Sequence, residues 1–116
     1  MKILVCGGRD FSNCKLLHLT LSKYSRPDLV IIHGAAKGAD SMAGSWAKAF
    51  GYEVQKFPAN WKEYGKRAGY IRNAQMLNEG KPDLVVAFPG GKGTQMMIKL
   101  AKAAGVKVVE VKDEEA

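Results

Sequence analysis

The sequence predicts an α/β fold, with one mainly parallel five-stranded sheet between two layers of helices. Three observations carry this expectation. Short apolar runs alternate with segments of helical periodicity along the whole chain, the pattern of successive βαβ units. The inner runs KILVC, LVII and DLVVAF show no polar alternation, as strands buried on both faces do not. Glycine-containing turns follow three of these runs, at the strand ends where such sheets open their ligand crevices. With helices on both faces of a parallel sheet, the expected order is 3-2-1-4-5, with strands one and four adjacent at the topological switch point.

The elements follow in order. Lys2 to Cys6 is the first strand and runs into Gly7-Gly8-Arg9-Asp10. Ser12 or Asn13 is the expected N-cap of a helix from about Cys14 to Tyr24, with Leu16, Leu17, Leu19 and Leu21 on its apolar side. Ser25 to Asp28 is a loop, and Leu29 to Ile32 the second strand. His33 to Asp40 forms a small-residue loop. Asp40 or Ser41 is expected to cap the helix carrying Met42, Ala43, Trp46, Ala47 and Phe50, with Gly51 at its C-terminus. Glu53 to Phe57 alternates in polarity and reads as an edge strand. After Pro58-Ala59-Asn60-Trp61 comes the basic and aromatic stretch KEYGKRAGYIRN. A helix is expected from Ala68 or Gly69 through Leu77, ended by Gly80 and Pro82. Asp83 to Phe88 is the fourth strand, Pro89 to Thr94 a glycine turn, Gln95 to Ala104 a helix and Lys107 to Val111 the last strand.

At 116 residues the chain makes one domain, residues 1–116, and no linker or repeat divides it. Its 47% hydrophobic and 25% charged content is that of an ordinary globular protein, and no apolar run approaches a membrane span. The short apolar N-terminus is a strand rather than a signal peptide, so a cytoplasmic location is expected. Cys6 and Cys14 fit no metal spacing and are expected to be free thiols. No cofactor or metal is expected. The net charge of +7 calls for an anionic partner. The acidic residues Asp113 to Glu115 read as a solvated end.

The candidate site is assembled from the strand ends. In the last glycine turn, Pro89, Gly90, Gly91, Gly93 and Thr94 let the backbone approach an anion, and Lys92 adds charge. Gly7, Gly8 and Arg9 lie beside them in the expected topology, with Asp10 as an acceptor for a ribose hydroxyl or a turn residue. Gly34, Lys37, Gly38 and Asp40 border the same crevice. Arg67, Arg72 and Asn73, in the basic stretch, are read as ligand contacts rather than as a solvated face.

PGGKGT resembles the PGGxGT motif of the SLOG superfamily, which includes the Lonely Guy phosphoribohydrolases and the DNA-processing protein DprA. The blocks GGRDF, HGAAKGAD, FPANW, YGKRAGYIRN and FPGGKGT, in that order, resemble the small stand-alone YspA-like branch over nearly the whole chain. The resemblance implies a Rossmann-like fold that binds nucleotides or nucleotide-derived ligands. Arg72 matches the hydrolases' functional arginine, and Asn73 stands where they carry lysine. Their catalytic glutamate, three residues past the motif threonine, is replaced by Met97, with Met96 before it. A thioether cannot act as a general base, so the expectation leans away from an enzyme.

Three functions are therefore weighed. The first is a binding module for a nucleotide or an ADP-ribose-like molecule, acting as sensor, carrier or sequestering protein. The second is a hydrolase of an N-glycosidic or phosphate bond, with a carboxylate from Asp10, Asp40 or Glu63 and a contribution from His33. The third is single-stranded DNA binding, with bases stacked on Trp61, Tyr64 and Tyr70. A homo-oligomer is compatible with each, and a membrane partner with none.

Overall fold

The computed structural model describes residues 1–113. Five parallel strands form one sheet in the order β3-β2-β1-β4-β5, the arrangement expected from the alternating pattern. They are β1 (Lys2–Cys6), β2 (Val30–His33), β3 (Glu53–Lys56), β4 (Leu84–Ala87) and β5 (Lys107–Glu110). The helices are α1 (Cys14–Ser22), α2 (Ala39–Ala49), α3 (Trp61–Tyr64), α4 (Ala68–Gln75) and α5 (Lys92–Ala103).

Alternation along β1 divides the core. Ile3 and Val5 point to one face, where they pack with Leu17 and Leu21 of α1 and Ala43 and Trp46 of α2. Leu4 and Cys6 point to the other, against Met76 and against Met97, Ile98 and Ala101 of α5. Burial on both faces is why the inner strands carry unbroken apolar runs. β3 and β5 each expose both end residues, and β3 lies at a sheet edge as its polar alternation predicts.

Several boundaries differ from expectation, each for a physical reason. Asn13, the expected cap, accepts from the Leu16 N–H at 3.0 Å. The helix it starts ends at Ser22 rather than Tyr24. Leu19 is exposed, and Thr20 is buried in its stead because its hydroxyl donates to the Leu16 carbonyl at 2.7 Å. α2 starts at Ala39 with Gly38 as N-cap, ahead of both expected caps, because the Asp40 carboxylate turns back to the preceding loop. Phe50 is exposed and leaves the helix, although its ring stays 5.5 Å from that of Trp46. α3 is a single turn that the sequence reading leaves as irregular chain; Asn60 and Glu63 cap it reciprocally. A 3-10 turn over Gly65–Arg67 joins it to α4, and a π-helical turn over Met76–Gly80 follows. α5 begins at Lys92, so the glycine turn supplies the helix's own first turn.

Both cysteines are free, Cys6 buried and Cys14 exposed. Among the described residues no helix is long and apolar enough to cross a membrane. Asp113 accepts from Asn13 Nδ2 at 3.2 Å, which ties the start of the acidic segment to the fold; Glu114 and Glu115 lie outside the described residues.

Candidate functional site

At the carboxyl ends of β1 and β4 the sheet opens into a crevice of about 490 Å³. Its walls are the turn after β1, the first turn of α5 and one face of α4. The two turns are joined directly, by the Gly8 N–H donating to the Pro89 carbonyl at 2.8 Å. Gly7, Gly8, Arg9, Asp40, Arg72, Asn73, Gly91, Lys92, Gly93 and Thr94 all line this crevice. Asp10, Gly34 and Lys37 line a neighbouring cavity of about 580 Å³ instead, to which Arg9 and Arg72 also contribute. Gly38, Arg67, Pro89 and Gly90 line neither.

Helical geometry explains the exchange of Arg67 for Lys66. Lys66, Gly69, Tyr70, Asn73 and Met76 recur at helical spacing along one face and reach the crevice; Arg67 is one position round and exposed. Trp61, Lys66, Tyr70, Met96 and Met97 were outside the expected site. Tyr70 shares the helical face of Asn73, a spacing that could have found it; Lys66 lies in the 3-10 turn ahead of α4 and gives no such signal. Met97 is buried and forms part of the floor.

Most of the site's glycines answer to the fold. A Cβ on Gly7 would lie 2.6 Å from Ala39 Cβ, so this glycine lets α2 rest on β1. Gly38 has a φ of +79°, and a Cβ there would lie 2.2 Å from the Gly8 carbonyl oxygen. A Cβ on Gly90 would meet Thr94 Oγ1 at 2.2 Å. Gly91 and Gly93 differ: a Cβ on either would have no neighbour within 4 Å, and neither has a positive φ.

The amides differ in the same way. In the loop after β2, the Gly34 N–H donates to Asp40 Oδ2 at 2.9 Å and the Ala36 N–H to the same oxygen at 3.4 Å. The Ala35 N–H donates to His33 Nδ1 at 2.9 Å, and the Ala39 N–H to the Gly8 carbonyl at 3.3 Å. Three of this loop's amides, those of Gly34, Ala35 and Ala36, thus have acceptors in the loop and its flanks. At the head of α5 no side chain caps Gly91, and the first amides of a helix have no acceptor within it. They open into the crevice together with the positive end of the helix dipole.

Arg72 ties these parts together. Its Nη1 donates to the Gly34 carbonyl and its Nε to Asn73 Oδ1 at 2.9 Å, while Asn73 Nδ2 donates to the Gly93 carbonyl at 3.3 Å. The chain of bonds runs from the β2 loop through α4 to α5. Burial lowers the Arg72 pKa; the Asp40 charge opposes that shift and the Arg9 charge adds to it. Burial also raises the Asp40 pKa, against the loop amides and Arg72. The Cys6 thiol on the crevice floor is pushed up to about 12, chiefly by burial, so it stays protonated and unreactive.

Asp40 is the one carboxylate lining the crevice among the described residues, and it is engaged by the loop amides. His33 lies outside the crevice, buried, with Nε2 lacking a partner and set against Gly44. The Nδ1 bond puts the proton of the neutral ring on Nε2. No group of His, Cys, Asp and Glu among the described residues could hold a metal ion.

The chain is similar to the "Gene 61 protein" of Mycobacterium phage D29, at 37% identity over 92 residues that span 73% of each chain. A sequence profile of the YspA, cpYpsA-related SLOG family (YAcAr) matches residues 1–64, which include the turn after β1 and the whole β2 loop. With five parallel strands in the order 3-2-1-4-5 and that match over more than half its length, the chain belongs to the YspA, cpYpsA-related SLOG family.

Proposed function

We propose that the protein binds a nucleotide or nucleotide-derived molecule, with a phosphate group at the first turn of α5. One observation carries this reading. Gly91 and Gly93 stand at an uncapped helix N-terminus, and neither packing nor a left-handed backbone requires glycine at either position. Close approach of an anion to the backbone does. Arg9, Lys66, Arg72 and Lys92 add positive charge around the same crevice. Membership of the SLOG family is consistent with a nucleotide-related ligand. We place the protein in the cytoplasm, where nucleotides are abundant and free thiols persist.

The test is native mass spectrometry of the purified protein, followed by titration with AMP and ADP-ribose. A retained or added nucleotide should bind with micromolar or better affinity and be displaced by inorganic phosphate at high concentration. Absence of binding to any nucleotide would overturn the reading.

A second reading is favoured by the exposed rings of Trp61, Tyr64 and Tyr70, which offer stacking platforms for single-stranded nucleic acid. It predicts affinity that grows with oligonucleotide length and falls steeply with salt. Hydrolysis is disfavoured because Met97 occupies the position of the hydrolases' glutamate. Incubation with AMP should release no adenine beyond the buffer control.

A further inference from the structure

Away from the crevice, a groove of about 770 Å³ runs between α2 and the edge strand β3. Ser41, Gly44, Ser45 and Lys48 line it from α2, at the spacing of one helical face. Val54 and Lys56 line it from β3, where alternation turns them toward α2. Glu53 alternates to the other side and accepts from Gln55 Nε2 at 3.2 Å. No carboxylate lines the groove, and among the described residues neither lysine is in an ion pair.

The inner wall is His33, which is 3% exposed. Its Nδ1 accepts from the Ala35 N–H at 2.9 Å, which fixes the ring and leaves its proton on Nε2. That N–H has no acceptor and stands against Gly44, where a Cβ would lie 2.6 Å from it. Glycine at this position keeps the groove side of the ring clear of a side chain. Native proteins rarely leave such a buried donor unpaired. Burial, then the charges of Lys56 and Arg72, lowers the His33 pKa, and no carboxylate acts against them. The donor therefore stays neutral in a positive surrounding.

The helix runs back against the strands, and the Tyr52 N–H donates to the Ala47 carbonyl at 2.8 Å. Lys56, His33 and Ser41 thus stand at one end of the groove, and Tyr52 and Lys48 at the other. Lys48 answers the carbonyls of the last turn of α2. A lysine on an edge strand such as β3 guards against strand pairing, but that role does not call for an unpartnered imidazole behind it. Between the two ends, Val54 and Tyr52 offer apolar surface continuous with the core.

We propose that this groove binds a small organic acid. The anionic head lies between Lys56 and the His33 Nε2–H, and an apolar body lies along Val54 and Tyr52. The site is separate from the crevice at α5 and does not depend on what binds there.

Phenylacetate, phenyl phosphate and inorganic phosphate are the probes, and the histidine ring nitrogen signals in nuclear magnetic resonance are the readout. The chain has two histidines, and the other, His18, is exposed on α1. At least one of the aromatic acids should move the His33 Nε2 signal saturably and leave His18 in place. Inorganic phosphate lacks the apolar body and should need about tenfold higher concentration. Lys56→Ala, an exposed change, should raise the midpoint about tenfold. Lys92→Ala, in the crevice, should leave it within about twofold. No saturable movement of His33 with either aromatic acid would overturn the site. So would a midpoint that Lys92→Ala raises and Lys56→Ala does not, since the signal would then report the crevice. Inorganic phosphate acting as readily as the aromatic acids would overturn the ligand class.

Discussion

The loop after β2 and the turn before α5 look alike as sequence and behave as opposites. Each is short and glycine-rich, carries a lysine, follows a parallel strand and leads into a helix. In the first, Asp40 reaches back and His33 forward to accept three of the loop's amides, those of Gly34, Ala35 and Ala36. Gly38 is there because α2 begins within van der Waals reach of the β1 turn. In the second, no side chain reaches back, and Gly91 and Gly93 face open space. Glycine count therefore does not identify an anion cradle. What singles out the α5 turn for the proposed role is that a Cβ on Gly91 or Gly93 would meet nothing.

Substitution can break this distinction or sharpen it. The largest effect is expected at Gly38. Alanine there combines a positive φ with a clash against the Gly8 carbonyl, and should lower stability by roughly 3 kcal/mol. Urea denaturation measures it, and a wild-type midpoint would show that the loop is not the rigid partner described here.

Next is Arg72, which joins the two regions. Arg72→Ala should weaken ADP-ribose binding by about 10- to 100-fold, the equivalent of one charge-assisted hydrogen bond of roughly 1.5–3 kcal/mol. Lys107→Ala, on an exposed position of β5, should change it less than twofold. Equal affinities for the two variants would return Arg72 to a purely structural role.

At Gly93, stability and binding should move in opposite directions. Within the first turn of α5, alanine should stabilise the helix by roughly 0.5–1 kcal/mol, because glycine loses more backbone freedom on folding. The same methyl group stands over the anion's approach and should weaken binding at least tenfold. A more stable protein with unchanged affinity would remove the ligand as the reason for this glycine.

The smallest effect concerns His33. Burial, then the charges of Lys56 and Arg72, depresses its pKa. The unfolded chain takes up a proton near 6.5 while the folded protein resists it to lower pH. Stability from this residue is thus complete above 6.5 and is lost as pH falls from there through the folded value. Asp40 acts oppositely and lower, since its raised pKa favours the folded state below 3.8 and the benefit fades as pH rises. His33→Gln should flatten the decline in unfolding free energy just below pH 6.5, as read from urea melts across that range.

The layered fold was legible because unbroken apolar runs and alternating segments have few other solutions. The expected strand order followed from placing helices on both faces of a parallel sheet with right-handed crossovers. Helix starts were less legible. A capping residue such as Asp40 has more than one set of amides to serve, and only the folded loop shows which set it takes. Nor could local sequence tell Lys66 from Arg67, since a short 3-10 turn ahead of α4 sets which of them faces inward. The roles of Gly7 and Gly91 are indistinguishable as letters; their neighbours across the crevice separate them.

The guanidinium of Arg72 is held before any ligand arrives, by the Gly34 carbonyl and by Asn73. Immobilising a flexible side chain on binding ordinarily costs about 0.5–1.5 kcal/mol, and here most of that ordering belongs to folding instead. Lys66 and Lys92 are exposed and must be frozen on contact. On the proposed reading, Arg72 would set the geometry that an arriving molecule must match, and the lysines would adjust to it afterwards. Selectivity should reside with the arginine, and the speed of capture with the lysines.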